Sequence, residues 1–161
     1  MKRRVLYVDD DPARLRGPLE YYLGSSSVDY ASTTSIAVEK LAHNEYCALI
    51  VDAVMPCGSS STVPQQIMDK LRSSNSGVDL AVLLKTGELS DYILDHYKKN
   101  VPVIIITGGG KYRLEESLSR KLPWFKDENI AVVDWPMDRD ELIGFLHPRI
   151  SKFQDQYYRW A

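Results

Sequence analysis

Five short apolar runs punctuate the chain, each closing on an acidic or small polar residue, and most stretches between them repeat apolar residues every three or four positions. The first, Arg4 to Val8, reads as a strand that leads into Asp9-Asp10-Asp11 and then Pro12, a residue suited to the first turn of a helix. Leu15, Leu19 and Leu23 mark that helix, and Gly17-Pro18 should split it into two short pieces, because a proline ring collides with the preceding turn. Ser27 to Ala31 gives a weak second strand, after which Thr33, Thr34 or Ser35 caps a helix carrying Ala37, Val38, Leu41 and Ala42. Tyr46 to Val51 makes a third strand that closes on Asp52.

Residues 57 to 100 are the least regular part. Gly58 to Thr62 reads as loop, Pro64 to Arg72 as a helix, Ser73 to Gly77 as a turn, and Val78 to Lys99 as one or two helices divided near Gly87. Val101 to Ile106 is apolar throughout and rich in β-branched residues, which predicts a central strand covered on both faces. It stops at Thr107-Gly108-Gly109-Gly110. Leu114, Leu118 and Leu122 mark a further helix, and Ile130 to Val133 the fifth strand. Asp138 and Glu141 have the spacing of a capping box before Leu142, Phe145 and Leu146. Pro148 should interrupt this last helix before Ile150, Phe153 and Tyr157 resume the stripe.

Strands alternating with helices predict an α/β domain with a mainly parallel sheet, since crossover helices join parallel neighbours. A chain of 161 residues can bury one such core without disulfides or metals, and leaves no room for a second catalytic domain. A formal charge of -2 gives no net attraction to nucleic acid or to an anionic membrane, and neither is expected as a partner. No apolar run approaches the ~20 residues that span a bilayer, and Cys47 and Cys57 have no disulfide-framework spacing. A soluble cytoplasmic protein is expected. His43, His96 and His147 fall at scattered helical positions and read as surface residues, and Tyr157 to Trp160 as an aromatic end that packs on its own domain or offers a contact surface.

In parallel sheets, ligands gather outside the carboxyl ends of the strands. Those ends carry Asp9 and Asp10, then Asp52, Thr107, and Asp134-Trp135. Unit charges 4 Å apart interact by ~1 kcal/mol in water and by ~4 kcal/mol at an effective dielectric of 20, so a carboxylate cluster repels itself or shifts its pKa. A hard divalent cation relieves the repulsion, and Mg2+ takes a few protein oxygens while keeping waters that a phosphoryl group can displace. A threonine hydroxyl followed by glycines, whose amides are open, suits a phosphoryl oxygen.

The segments "VLYVDDDP", "ALIVDAVMP", "VIIIT" and "VVDWP", in this order, resemble the receiver domain of two-component response regulators. The resemblance implies a flavodoxin-like (CheY-like) doubly wound sheet of five parallel strands in the order 2-1-3-4-5. It covers most of the chain apart from roughly 60 to 76, some of the stretch up to 100 and the end beyond about 150. It implies a single receiver domain over 1 to 161, with extra helical material between the third and fourth strands (an insertion over about 57 to 76 and part of 77 to 100) and a helical extension over 149 to 161. It places the phosphoacceptor on Asp52, the acidic metal pair on Asp9 and Asp10, a further Mg2+ ligand on the carbonyl of Val54, and the switch hydroxyl on Thr107. The implied role is phosphoryl acceptance from a sensor histidine kinase or phosphotransfer protein, with output through contact with a downstream protein. Beyond autocatalysed phosphorylation and dephosphorylation no enzymatic activity is implied.

Two positions depart from the family pattern. Trp135 stands where the family has a lysine that pairs with the phosphoacceptor, and indole has one N–H donor and no charge. Val132 takes the place of an aromatic switch residue. Lys111, just past the glycines, offers a substitute cation. The alternative is a pseudo-receiver, an interaction module in which Trp135 fixes one conformation regardless of phosphate. A Mg2+-dependent phosphatase of the haloacid type, drawn only from Asp9-x-Asp11, lacks the hydroxyl it needs where Ala13 stands.

Overall fold

The five apolar runs become five strands because each is flanked by turn-forming residues and is too short to make a helix. The computed structural model describes residues 4–89, 91–93, 100–122 and 129–157. In chain order the elements are β1 (Val5–Val8), α1 (Ala13–Leu23), a 3-10 turn at Ser25–Ser27, β2 (Val28–Ala31), α2 (Thr34–His43), β3 (Ala48–Asp52), α3 (Gln65–Lys70), α4 (Ser76–Thr86), β4 (Val103–Thr107), α5 (Lys111–Lys121), β5 (Ile130–Asp134) and α6 (Arg139–Tyr157). All neighbouring strands pair in parallel, in the order β2-β1-β3-β4-β5.

Alternate residues of the central strands feed two separate cores. Leu6, Val8, Leu49, Val51, Val103 and Ile105 face α2, α3, α4 and α5, while Val5, Tyr7, Ala48, Ile50, Ile104 and Ile106 face α1 and α6. Helices on both faces explain why β1, β3 and β4 are apolar without alternation. Each fully buried Val, Leu or Ile side chain contributes about 1.5–3 kcal/mol. Thr33 is the residue that caps α2, its side chain accepting from the Ile36 amide, and Asp138 accepts from the Glu141 amide at 2.8 Å as the capping-box spacing predicts. Gly87, in the left-handed conformation, ends α4.

Two local expectations fail and a third holds only in part. α1 runs unbroken through Pro18, and α6 through Pro148. Pro18 lacks one amide donor, but Gly17 before it has no Cβ to collide with the proline ring, and Leu15 and Leu19 bury their side chains on either side. An interior proline costs about 3 kcal/mol, which two buried leucines offset. Around Pro148 the stripe Leu142, Leu146, Ile150 and Phe153 is buried without interruption, so residues 149 to 157 continue the same helix.

The third concerns Ser73 to Gly77, where the expected turn covers only Ser73 to Asn75 and α4 begins at Ser76, with Gly77 inside it. A Cβ at Gly77 would lie 1.8 Å from the backbone oxygen of Asp52, so this glycine lets the first turn of α4 press on the end of β3. The Ser76 and Thr34 hydroxyls, 2.6 Å apart and buried, tie the same turn to α2. α3 is also shorter than the expected Pro64 to Arg72. His96 and the aromatic side chains from Tyr157 to Trp160 lie outside the described residues. Among the described residues, no helix is long and apolar enough to cross a membrane.

Candidate functional site

The carboxyl ends of β1, β3 and β4 bring their terminal polar residues to one edge of the sheet. Val8 pairs with Val51 and Asp52 with Ile106, so Asp9 and Asp52 emerge side by side and Thr107 projects one residue further along. Carboxylate oxygens of Asp9, Asp10 and Asp52 lie within 4.8 Å of one another. Asp9 is only 2% and Asp52 7% exposed, whereas Asp10 reaches solvent.

Each buried carboxylate is held by donors. Asp9 accepts from the Tyr7 hydroxyl at 2.5 Å through one oxygen and from the Asp11 amide at 2.8 Å through the other. Asp52 Oδ1 accepts from the Val54 amide at 3.3 Å, and Arg14 Nη1 stands 3.4 Å from Oδ2. These donors do not fully compensate burial. Desolvation raises the pKa of Asp52, the negative charge of Asp9 adds to it, and the Val54 amide and Arg14 oppose it. Desolvation likewise raises Asp9 against the opposing bonds from Tyr7 and Asp11. Burial, together with its bond to Asp9, pushes Tyr7 far up, which keeps its hydroxyl a donor.

The arrangement fits Mg2+. Three hard carboxylate oxygens are close enough to share one ion, two sit where their charge is poorly solvated, and exposed Asp10 leaves a side open to water.

Thr107 is buried at the end of β4, where its hydroxyl donates to the Gly109 carbonyl at 2.6 Å and its own carbonyl accepts from the Trp135 amide at 2.7 Å. Gly110, at φ 77°, turns the loop into α5, and Lys111 is the first residue of that helix. Lys111 makes no ion pair among the described residues. Trp135, linked to Pro136 by a cis peptide bond, packs partly buried against the α1–α6 core, with the Arg14 guanidinium 5.9 Å from its ring centroid. A groove of about 500 Å³ opens beside the site, lined by Val54, Asn75, Thr107, Gly110, Arg113 and Leu114 among others.

Sequence reasoning brought Asp9, Asp10, Asp52 and Thr107 to this edge but missed Tyr7, Arg14 and Gly77. Tyr7 reads as an ordinary strand aromatic, and the inward parity it shares with Val5 was the only signal available. Arg14 follows Asp10 by four positions, with nothing local to single it out from Arg16.

No family sequence model and no curated protein matches the chain. Solved structures do. A receiver domain protein from Methanospirillum hungatei is 16% identical with a TM-score of 0.64, covering 97% of this chain and 99% of its own. The signal receiver domain of an HD domain-containing protein from Pseudomonas fluorescens is 17% identical with a TM-score of 0.64, covering 96% and 99%. A sensor protein from a Polaromonas species is 20% identical with a TM-score of 0.63, covering 95% and 99%. The chain therefore has the fold of response regulator receiver domains.

Proposed function

We propose that the chain is a signalling receiver that accepts a phosphoryl group on Asp52 in a Mg2+-dependent reaction and acts through protein contact. The observation that carries this reading is the convergence of three carboxylates, two of them buried and held partly against their charge, at the ligand-binding edge of a receiver fold. Asp9, Asp10 and Asp52, with the carbonyl of Val54, would hold the ion. Bound Mg2+ supplies charge neutralisation for the carboxylates and for a transferring phosphoryl group.

The remaining roles belong to the chain's own residues. Tyr7 and the Asp11 amide hold the Asp9 carboxylate toward the site, and the Val54 amide orients Asp52. An Asp52 oxygen attacks the phosphorus of a phosphohistidine on a sensor kinase or phosphotransfer protein. The P–N bond breaks, its electron pair stays with the imidazole, and an aspartyl phosphate forms. The Thr107 hydroxyl would exchange the Gly109 carbonyl for a phosphoryl oxygen, moving the loop that borders the 500 Å³ groove, where a partner would read the change. Catalysis beyond this self-modification is not part of the reading, and a cytoplasmic setting goes with a kinase as donor.

A second reading, the pseudo-receiver, draws on the Thr107 hydroxyl already being satisfied and on uncharged Trp135 beside the site. Adding Mg2+ and beryllofluoride while following backbone NMR resonances separates the two. A receiver shifts the resonances of Asp52, Thr107 and Gly108 to Gly110, and a pseudo-receiver leaves them in place.

A further inference from the structure

We infer that Arg14, on α1, is the cation that senses the phosphoryl group, and that Trp135 is the platform that orients it; the inference rests on the phosphoacceptor reading of Asp52. Four observations converge on this arginine. It forms the ion pair to the buried Asp52 carboxylate, Nη1 to Oδ2 at 3.4 Å. Its Nε lies 3.8 Å from Asp11, one turn back, which restrains the stem. Its guanidinium lies 5.9 Å from the centroid of the Trp135 ring, within the range of a cation–π contact. Trp135 is itself fixed, because its ring packs on the α1–α6 core and its amide bonds the Thr107 carbonyl.

The bland alternative is a surface arginine satisfying a nearby acid. Arg16, two residues on, is such a residue: it pairs with Glu20 on its own helix and lies over the Tyr30 ring of β2, 5.5 Å from its centroid, away from Asp52. Arg14 instead joins three elements, α1, the end of β3 and the end of β5, across 38 residues of chain on one side. The Asp52 side chain it faces is only 10% exposed. A carboxylate so little exposed needs a counter-charge within reach, and a guanidinium, charged at all working pH, provides one.

Chemistry favours arginine here for a second reason. When an Asp52 oxygen attacks the phosphorus of acetyl phosphate, the P–O bond to acetyl breaks and acetate leaves with the electron pair. The net charge at Asp52 grows from one negative unit toward two, and three new acceptor oxygens appear within reach. A planar fork of donors can grip two of them, whereas in the unmodified protein it meets a single oxygen at 3.4 Å. Arg14 would then leave the Trp135 face, so α1 and the end of β5 carry the phosphorylation signal.

The test is the rate at which acetyl phosphate with Mg2+ labels Asp52, followed by mass spectrometry in the full chain. Arg14→Gln should slow labelling by roughly tenfold or more, as loss of one preorganised donor does elsewhere, while Arg14→Lys recovers part of it. Arg16→Gln, which removes the same charge outside the site, should label at the wild-type rate. In a Trp124→Phe/Trp160→Phe background, Trp135 emission should change when Mg2+ and beryllofluoride are added, and Arg14→Gln should abolish that change. Wild-type labelling in a folded Arg14→Gln overturns the assignment and leaves the phosphoacceptor reading standing. An unlabelled wild-type protein removes both.

Discussion

Replacing Gly77 by alanine probes the contact that sets the height of Asp52 in the site. The added Cβ would lie 1.8 Å from the Asp52 backbone oxygen and 2.8 Å from its carbonyl carbon, where real contacts keep at least 3.0 Å. The obstruction is backbone on both sides, so no side chain can swing clear, and α4 must retreat from β3 by about 1 Å. Overpacking of this kind costs typically 1–3 kcal/mol and occasionally more, so about 3 kcal/mol is expected. For a chain of this length each kcal/mol moves Tm by roughly 2–4 °C, which predicts a fall of about 6–12 °C in a thermal melt. Gly144 supplies the control. It is exposed in the interior of α6, with nothing within 4 Å of an added Cβ, and Gly144→Ala should gain about 0.5–1 kcal/mol. Mg2+ affinity should drop in Gly77→Ala alone, because the displaced backbone carries the Asp52 carboxylate with it. If both variants melt like the wild type, the close approach of α4 to Asp52 is not what holds the site.

Other perturbations report on the acidic cluster. Tyr7→Phe removes the donor to the buried Asp9 carboxylate and should cost about 1.5–3 kcal/mol in urea denaturation, the range for a hydrogen bond to a charged group. The raised pKa values of Asp9 and Asp52 mean that the folded chain binds more protons than the unfolded one. Their contribution to the stability of the metal-free protein therefore falls as pH rises from about 3.9 through the raised values. Asp52→Asn should gain stability relative to wild type over that same rise, and a constant difference would refute the burial argument. At neutral pH, Mg2+ should raise the Tm of the wild type, and Asp9→Asn should weaken that response by at least ~10-fold in metal concentration.

How far the sequence discloses this molecule depends on the range of each interaction. β4 was legible because its four buried residues Val103 to Ile106 are β-branched and apolar without alternation, as a strand covered on both faces requires. Asp9, Asp10 and Asp52 were legible because a parallel sheet delivers its strand ends to one edge, so a local feature acquires a known place. The prolines misled because local rules price the lost amide bond and not the tertiary burial of Leu15, Leu19, Leu146 and Ile150 around it. Gly77 looked like part of a turn because Ser73-Ser74-Asn75-Ser76 precedes it, and only the approach of Asp52 shows why a glycine stands there. Arg14 was hidden most completely, since the partners that give it meaning lie on β3 and β5. Trp135, read first as a lost cation, becomes the surface against which that cation lies.

The central claim is that Asp52 takes a phosphoryl group with the help of Mg2+, and the most direct measurement is intact-mass and peptide mass spectrometry after incubation with acetyl phosphate. The account predicts a single phosphoryl adduct on the peptide containing Asp52, formed with Mg2+, absent with chelator and absent from Asp52→Asn. An unmodified wild-type chain under these conditions, or an adduct that persists in Asp52→Asn, would contradict it.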